Sequence, residues 1–133
     1  MISFNYKVKV YYKDVDQMGV VYYTRYLEYF EAARTELLKS IGMSVTHIEE
    51  NGYYLPVVTV YCEYKSGANF EDRLIVKSSI NEMPKARLKI HYQVLRQGDL
   101  IVKGYTIHAF TDLNSKPKRP PKLFIDTLVP YFQ

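Results

Sequence analysis

The chain has 133 residues, 47% of them hydrophobic, and a net charge of +4. That length and composition predict one folded domain over 1–133, and exclude a disordered chain or two domains of average size. No apolar run reaches membrane-spanning length, and the lone cysteine, Cys62, rules out an internal disulfide and a cysteine-rich metal site. The charge suits an anionic small ligand, but it lacks the long basic block of a nucleic-acid binder.

Residues 5–12 alternate apolar and polar side chains and predict a first strand. The N-terminus has no apolar block of the signal-peptide kind, so a cytoplasmic location is expected, with no stable membrane insertion. From about Tyr22 to Ile41 the period changes. Tyr26, Phe30, Ala33, Leu37 and Ile41 form one helical stripe, and Gly42 stands where a helix stops. Ala32 and Ala33 are small enough to let this helix approach a sheet closely. A shorter helix is predicted from Ser44 to Glu50, capped by Ser44 and ended by Asn51-Gly52.

Four long strand patterns follow, Leu55–Lys65, Arg73–Glu82, Ala86–Gln97 and Leu100–Thr111. Ser66-Gly67-Ala68-Asn69, Met83-Pro84-Lys85 and Gln97-Gly98-Asp99 supply turn chemistry between them, which predicts hairpins and an antiparallel meander. Leu88, Ile90, Tyr92 and Val94 fall on one face and Arg87, Lys89, His91 and Gln93 on the other, so one face is buried and one is wet. A Pro-rich basic segment, Lys116 to Lys122, leads into a short tail. The fold class is therefore α+β: a five-stranded antiparallel sheet that must curl around the one long helix.

The chemistry concentrates before that helix. Asp14, Asp16 and Gly19 precede it directly, which sets a carboxylate beside free helix-start amides from Val20 to Tyr23. A bound carbonyl would meet a base or nucleophile on one side and hydrogen-bond donors for its oxygen on the other, an arrangement suited to acyl transfer to water. A helix cap is the structural alternative for Asp16. Asp14 is its neighbour on the same face and suits local hydrogen bonds at the strand end. Gly19 serves backbone conformation or close approach of a ligand. Tyr22 and Tyr26 are candidates for an acyl pocket, with core packing as the alternative in a chain of 14 tyrosines. Glu31 and Arg34 fit an ion pair along the helix. His47, His91 and His108 lack ligand spacing, so no metal and no cofactor are expected. Cys62 reads as a core thiol.

The segment Tyr12-x-Asp14-x-Asp16-x-x-Gly19-Val20-Val21-Tyr22-x-x-x-Tyr26-x-x-x-x-Glu31-x-x-Arg34 resembles the signature of the 4-hydroxybenzoyl-CoA thioesterase family, and within it the YbgC-type branch. The resemblance runs over nearly the whole chain. It implies a hotdog fold, assembly as a homodimer or homotetramer, and hydrolysis of an acyl-CoA substrate without a metal. It further implies Asp16 as the catalytic acid and the backbone amide of Tyr23 as the donor that polarises the thioester carbonyl. The chain departs from relatives at Val15, where they carry a small polar residue or cysteine, and at Tyr23, where many carry histidine.

A CoA enzyme also needs cations for phosphates. Arg87 is the first candidate, with Lys65, Lys89, Lys118 and Arg119 behind it. Two other functions fit the same residues: a non-catalytic acyl-CoA sensor or scaffold that keeps the pocket without using Asp16, and a thioesterase acting on acyl carrier protein. A dehydratase of the same fold would place histidine near the helix start, and none is there.

Overall fold

The computed structural model describes residues Met1–Gln133. Its elements are strand β1 (Ile2–Lys9), helix α1 (Arg25–Ser40), helix α2 (Val45–Glu50), strands β2 (Val57–Tyr64), β3 (Arg73–Ile80), β4 (Leu88–Arg96) and β5 (Asp99–His108), and helix α3 (Lys122–Leu128). The strands form one five-stranded sheet in the order β1-β3-β4-β5-β2, with every pairing antiparallel. The sheet curls around α1, as the composition of elements requires.

The predicted β4 alternation holds: Leu88, Ile90, Tyr92 and Val94 are buried, while Lys89, His91 and Gln93 are not. The α1 stripe holds too, with Tyr26, Phe30, Ala33 and Leu37 buried, although Ile41 is only half-buried. Phe30 stacks on Tyr92 with ring centroids 4.2 Å apart, fixing the helix on the middle of the sheet. Burying a ring of that size contributes roughly 2–3 kcal/mol. The close approach depends on Gly104. A Cβ there would overlap the Tyr61 carbonyl oxygen and stand 3.1 Å from the Phe30 ring.

Three expectations need correction. The first strand runs over Ile2–Lys9 rather than 5–12, because its partner β3 begins at Arg73, opposite Lys9, and a single 3-10 turn at Tyr12–Asp14 follows. The meander comprises only β3, β4 and β5. β2 lies at the far edge beside β5, because residues 65–72 form a crossing rather than a hairpin. That crossing is held down by buried Ala68, whose carbonyl accepts the Val21 amide at 2.9 Å. Cys62 is only half-buried, since β2 is an edge strand; burial still pushes its thiol pKa up.

The remaining local signals act as expected. Ser44 caps α2 by accepting the His47 amide at 3.1 Å, and Gly42 and Gly52 take positive φ just past the two helices. Phe124 of α3 packs edge-on against Phe110 and closes the end of the core. No helix is long and apolar enough to cross a membrane.

Candidate active site

Residues Val15 to Val21 form a miniature hairpin, bridged between Val15 and Val21, and Val20 is bridged to Asn69 of the crossing. Asp16 and Gly19 are the two ends of its turn. The Gly19 amide donates to the Asp16 carbonyl at 3.0 Å, and the Asp16 amide donates to Val20 at 2.9 Å. Gly19 has φ of +79°, the left-handed region that a side chain resists. The Asp16 carboxylate accepts the Met18 amide on Oδ1 at 2.8 Å. Its Oδ2 has no partner in the chain. Asp16 therefore caps this turn and not the helix: the cap position of α1 is Thr24.

Asp14 has a different role. It is buried, its Oδ2 accepts the Tyr11 amide at 3.0 Å, and its carbonyl accepts the Tyr22 amide at 2.8 Å. This is the local bonding expected of it. Close to Tyr29, it also adds to the burial that holds the Tyr29 hydroxyl well above its ordinary pKa.

The helix begins later than its tyrosine pattern predicts. Tyr22 to Thr24 form a turn in which the Arg25 amide donates to Tyr22 at 2.9 Å, and α1 runs only from Arg25. Of the amides from Val20 onward, those of Val21 and Tyr22 are already given to Ala68 and Asp14. The amides of Tyr23 and Thr24 donate to nothing in the chain. They stand at the positive end of α1, where a developing oxyanion is favoured.

Aromatic rings enclose this point. Tyr23 packs on Tyr22 with centroids 4.8 Å apart and meets the edge of Tyr64 at 6.2 Å. Tyr22 is exposed, and its hydroxyl is held above the ordinary phenol range by the neighbouring Tyr23 hydroxyl and, to a smaller extent, by the charge of Asp16. Tyr26, by contrast, is 2% exposed and belongs to the core. Arg96 donates to the Gly67 carbonyl and reaches Asp72 at 3.5 Å, tying the 65–72 crossing to the sheet behind the site.

Arg87 does not join this constellation within the chain. It precedes β4 at the β3–β4 hairpin, whereas Asp16 lies at the opposite end of β3, roughly 25 Å away for a strand of that length. Tyr64, which the sequence did not single out, does join it. Its only signal was a strand of Val and Tyr residues, shared with many other positions.

A second feature lies farther along α1. A cavity of about 450 Å³ opens between α1, α2 and the ends of β4 and β5, with Arg34, Ile48, Leu55 and His108 among its walls. Behind it runs a buried chain of hydrogen bonds. Tyr92 and Thr106 hydroxyls are 2.7 Å apart, Thr106 is 2.8 Å from His108 Nε2, and His108 Nδ1 is 3.0 Å from the Leu55 carbonyl. Because a carbonyl only accepts, Nδ1 carries the proton, so Nε2 accepts from Thr106 and Thr106 accepts from Tyr92. That assignment needs a neutral ring, and burial first, then the nearby Arg34 charge, lowers the His108 pKa to about 4, so the ring is neutral near pH 7.

A family model of the thioesterase-like superfamily matches residues 10–127, a span that includes the Asp16 turn, α1 and the whole strand system from β2 to β5. The chain belongs to the thioesterase-like superfamily. Among its relatives, the acyl-CoA thioesterase YbgC of Haemophilus influenzae is 35% identical over 122 residues, 90% of each chain. Of the solved structures, a Thermus thermophilus protein superposes with a TM-score of 0.91 at 29% identity, covering 99% of both chains. The 1,4-dihydroxy-2-naphthoyl-CoA thioesterase of Synechocystis superposes at 0.85 with 25% identity, covering 96% of both. The sheet wrapped around α1 is the hotdog fold of these thioesterases.

Proposed function

We propose that this chain is a thioester hydrolase acting on acyl-CoA, with Asp16 as its catalytic carboxylate and the Tyr23 amide as its oxyanion donor. The observation that carries the reading is the pairing of two uncommitted groups on a fixed frame. Asp16 is oriented through Oδ1 and keeps Oδ2 free, while Tyr23 heads α1 with a free N–H. Membership of the superfamily and the names of the relatives supply the substrate class.

In the general-base route, Asp16 Oδ2 takes a proton from water as the water oxygen bonds to the thioester carbon. The carbonyl electrons move onto oxygen, where the Tyr23 amide donates a hydrogen bond. Collapse of that intermediate breaks the C–S bond, and the CoA thiolate leaves and takes up the proton. In the nucleophilic route, Oδ2 itself bonds to the carbon and expels thiolate, and water then cleaves the mixed anhydride. Gly19, Val20 and Val21 hold the turn, and Tyr22 offers an exposed ring to the acyl group. Arg87 would meet the CoA phosphates only from another subunit.

A homo-oligomer fits the same reading. β2 is an unpaired sheet edge carrying exposed Val57, Val58, Val60, Tyr61 and Tyr64, an exposure that a second copy of the chain would cover by continuing the sheet. The test is thiol release from short, medium, long and aromatic acyl-CoAs by wild type and Asp16→Asn, with light scattering to read the assembly. Turnover lost in a folded Asp16→Asn protein supports the hydrolase. Tight acyl-CoA binding without turnover in wild type would instead make the chain a sensor, and turnover only of carrier-protein thioesters would move the substrate class.

A further inference from the structure

Arg34 is an anomaly of the α1 helix. Its side chain is only 17% exposed, and the ion pair expected of it forms with Glu31 at 3.8 Å, a carboxylate that is itself 74% exposed. A largely buried guanidinium carries five donors and loses hydration that a single solvated carboxylate does not replace. Its positive charge acts on the Tyr92 and His108 side chains behind it. The Tyr92 hydroxyl donates to Thr106 and can accept one Arg34 N–H on its oxygen, while both nitrogens of neutral His108 are occupied, so most of the five donors are left to the cavity. Arg34 lines the cavity of about 450 Å³, whose other walls include Leu38, Ile48, Leu55 and Ile90. That volume falls in the range of small-molecule sites, which combine apolar walls with a few placed polar groups.

We propose that this cavity binds the carboxylate of an apolar organic acid, with Arg34 holding the carboxylate and the aliphatic walls holding the body. Bidentate pairing suits a guanidinium with several donors to spare, and its partial burial strengthens it. Two acids, Glu31 and Glu49, also border the cavity, but both are solvent-exposed and their repulsion is screened at the rim. The carboxylate has two possible sources: a free acid, such as a product of thioester hydrolysis, or the far end of an acyl group that carries an ω-carboxylate. Only the second source rests on the hydrolase reading.

The experiment has two arms. In the first, octanoate and its neutral amide are titrated into the full-length protein by calorimetry, using wild type, Arg34→Gln and Arg34→Lys. The expected result is a preference of about ten- to a hundredfold for the acid, lost in Arg34→Gln and partly kept in Arg34→Lys. Val45→Trp, at an exposed position on the cavity wall, closes the space without altering the charge and should abolish binding. In the second arm, KM is compared for an acyl-CoA and its ω-carboxy counterpart. An Arg34-dependent fall of about tenfold assigns the carboxylate to the substrate, and acid binding without it assigns the free acid. The proposal is overturned if neither arm shows an Arg34-dependent preference in folded protein, or if octanoate binding survives Arg34→Gln unchanged. Octanoate binding with no turnover of any thioester would sink the hydrolase reading and leave this one standing.

Discussion

The Tyr64 hydroxyl donates to the main-chain carbonyl of Tyr23 at 3.1 Å, tying the edge strand β2 to the turn that starts α1. It is the one side-chain hydrogen bond that holds the main chain of the proposed oxyanion donor. Burial raises the Tyr64 hydroxyl pKa, so it remains a donor throughout the neutral range. Tyr64→Phe removes this bond and leaves the ring contacts with Tyr23 and Tyr26 in place. The expected outcome is a severalfold fall in kcat with a stability change of about 1 kcal/mol or less. Steady-state kinetics beside a thermal melt checks it; an unchanged kcat would remove Tyr64 from the site.

The two neighbouring aspartates should separate cleanly. Asp16→Asn keeps an oxygen that can accept the Met18 amide, so the turn survives, but the side chain can no longer take a proton or attack carbon. Hydrolysis should fall by about 10²- to 10⁴-fold, with the melting temperature nearly unchanged. Asp14→Ala instead strands the Tyr11 amide beside a buried site and should cost about 1–3 kcal/mol of stability. Urea unfolding of both variants, set beside their turnover, distinguishes the roles. A folded, fully active Asp16→Asn would end the catalytic assignment.

How far the sequence led can be seen in particular residues. The Phe30 and Leu37 stripe and the Leu88 to Val94 alternation were legible because helix and strand periods are local properties. Gly42, Ser44 and Gly52 were legible because each answers a local backbone demand. The start of α1 was not. Tyr22 and Tyr23 continue a helical pattern, but the Tyr22 amide is drawn away to Asp14, and that bond depends on the chain folding back. The edge position of β2 was hidden for a similar reason, since its Val and Tyr residues suit a central strand equally well. Asp16 and Gly19 stood out by type and spacing, but the turn they close appears only in three dimensions. Nothing in the spacing of Glu31 and Arg34 showed that the guanidinium turns into a cavity.

Gly104 should tolerate no side chain. Its missing Cβ leaves room for the Tyr61 carbonyl, Cys62 and the Phe30 ring at the crossing of β2, β5 and α1. Backbone cannot move aside as a flexible side chain can, so Gly104→Ala must spread β2 from β5. A destabilisation of about 3 kcal/mol is expected, with loss of the exposed edge that a second copy would cover. Thermal melting and light scattering of the variant check both parts. Wild-type stability would show that the edge is more pliable than the register implies.

His108 has a folded-state pKa of about 4, depressed first by burial and also by the Arg34 charge, against an ordinary value near 6.5. A base whose pKa is lowered on folding binds fewer protons folded than unfolded. Its contribution therefore leaves stability unaffected above about pH 7 and lowers it as pH falls from about 6.5 to about 4. Below that the folded protein also takes the proton, and the loss levels off at roughly 3 kcal/mol. Other groups also titrate in this window, so the quantity to read is a difference in slope. Unfolding free energies of wild type and His108→Gln between pH 4 and 7 should diverge, with the variant the flatter of the two whatever its stability at pH 7. Parallel curves would mean that His108 takes up its proton in the folded state, at the expense of the Thr106 hydrogen bond to Nε2.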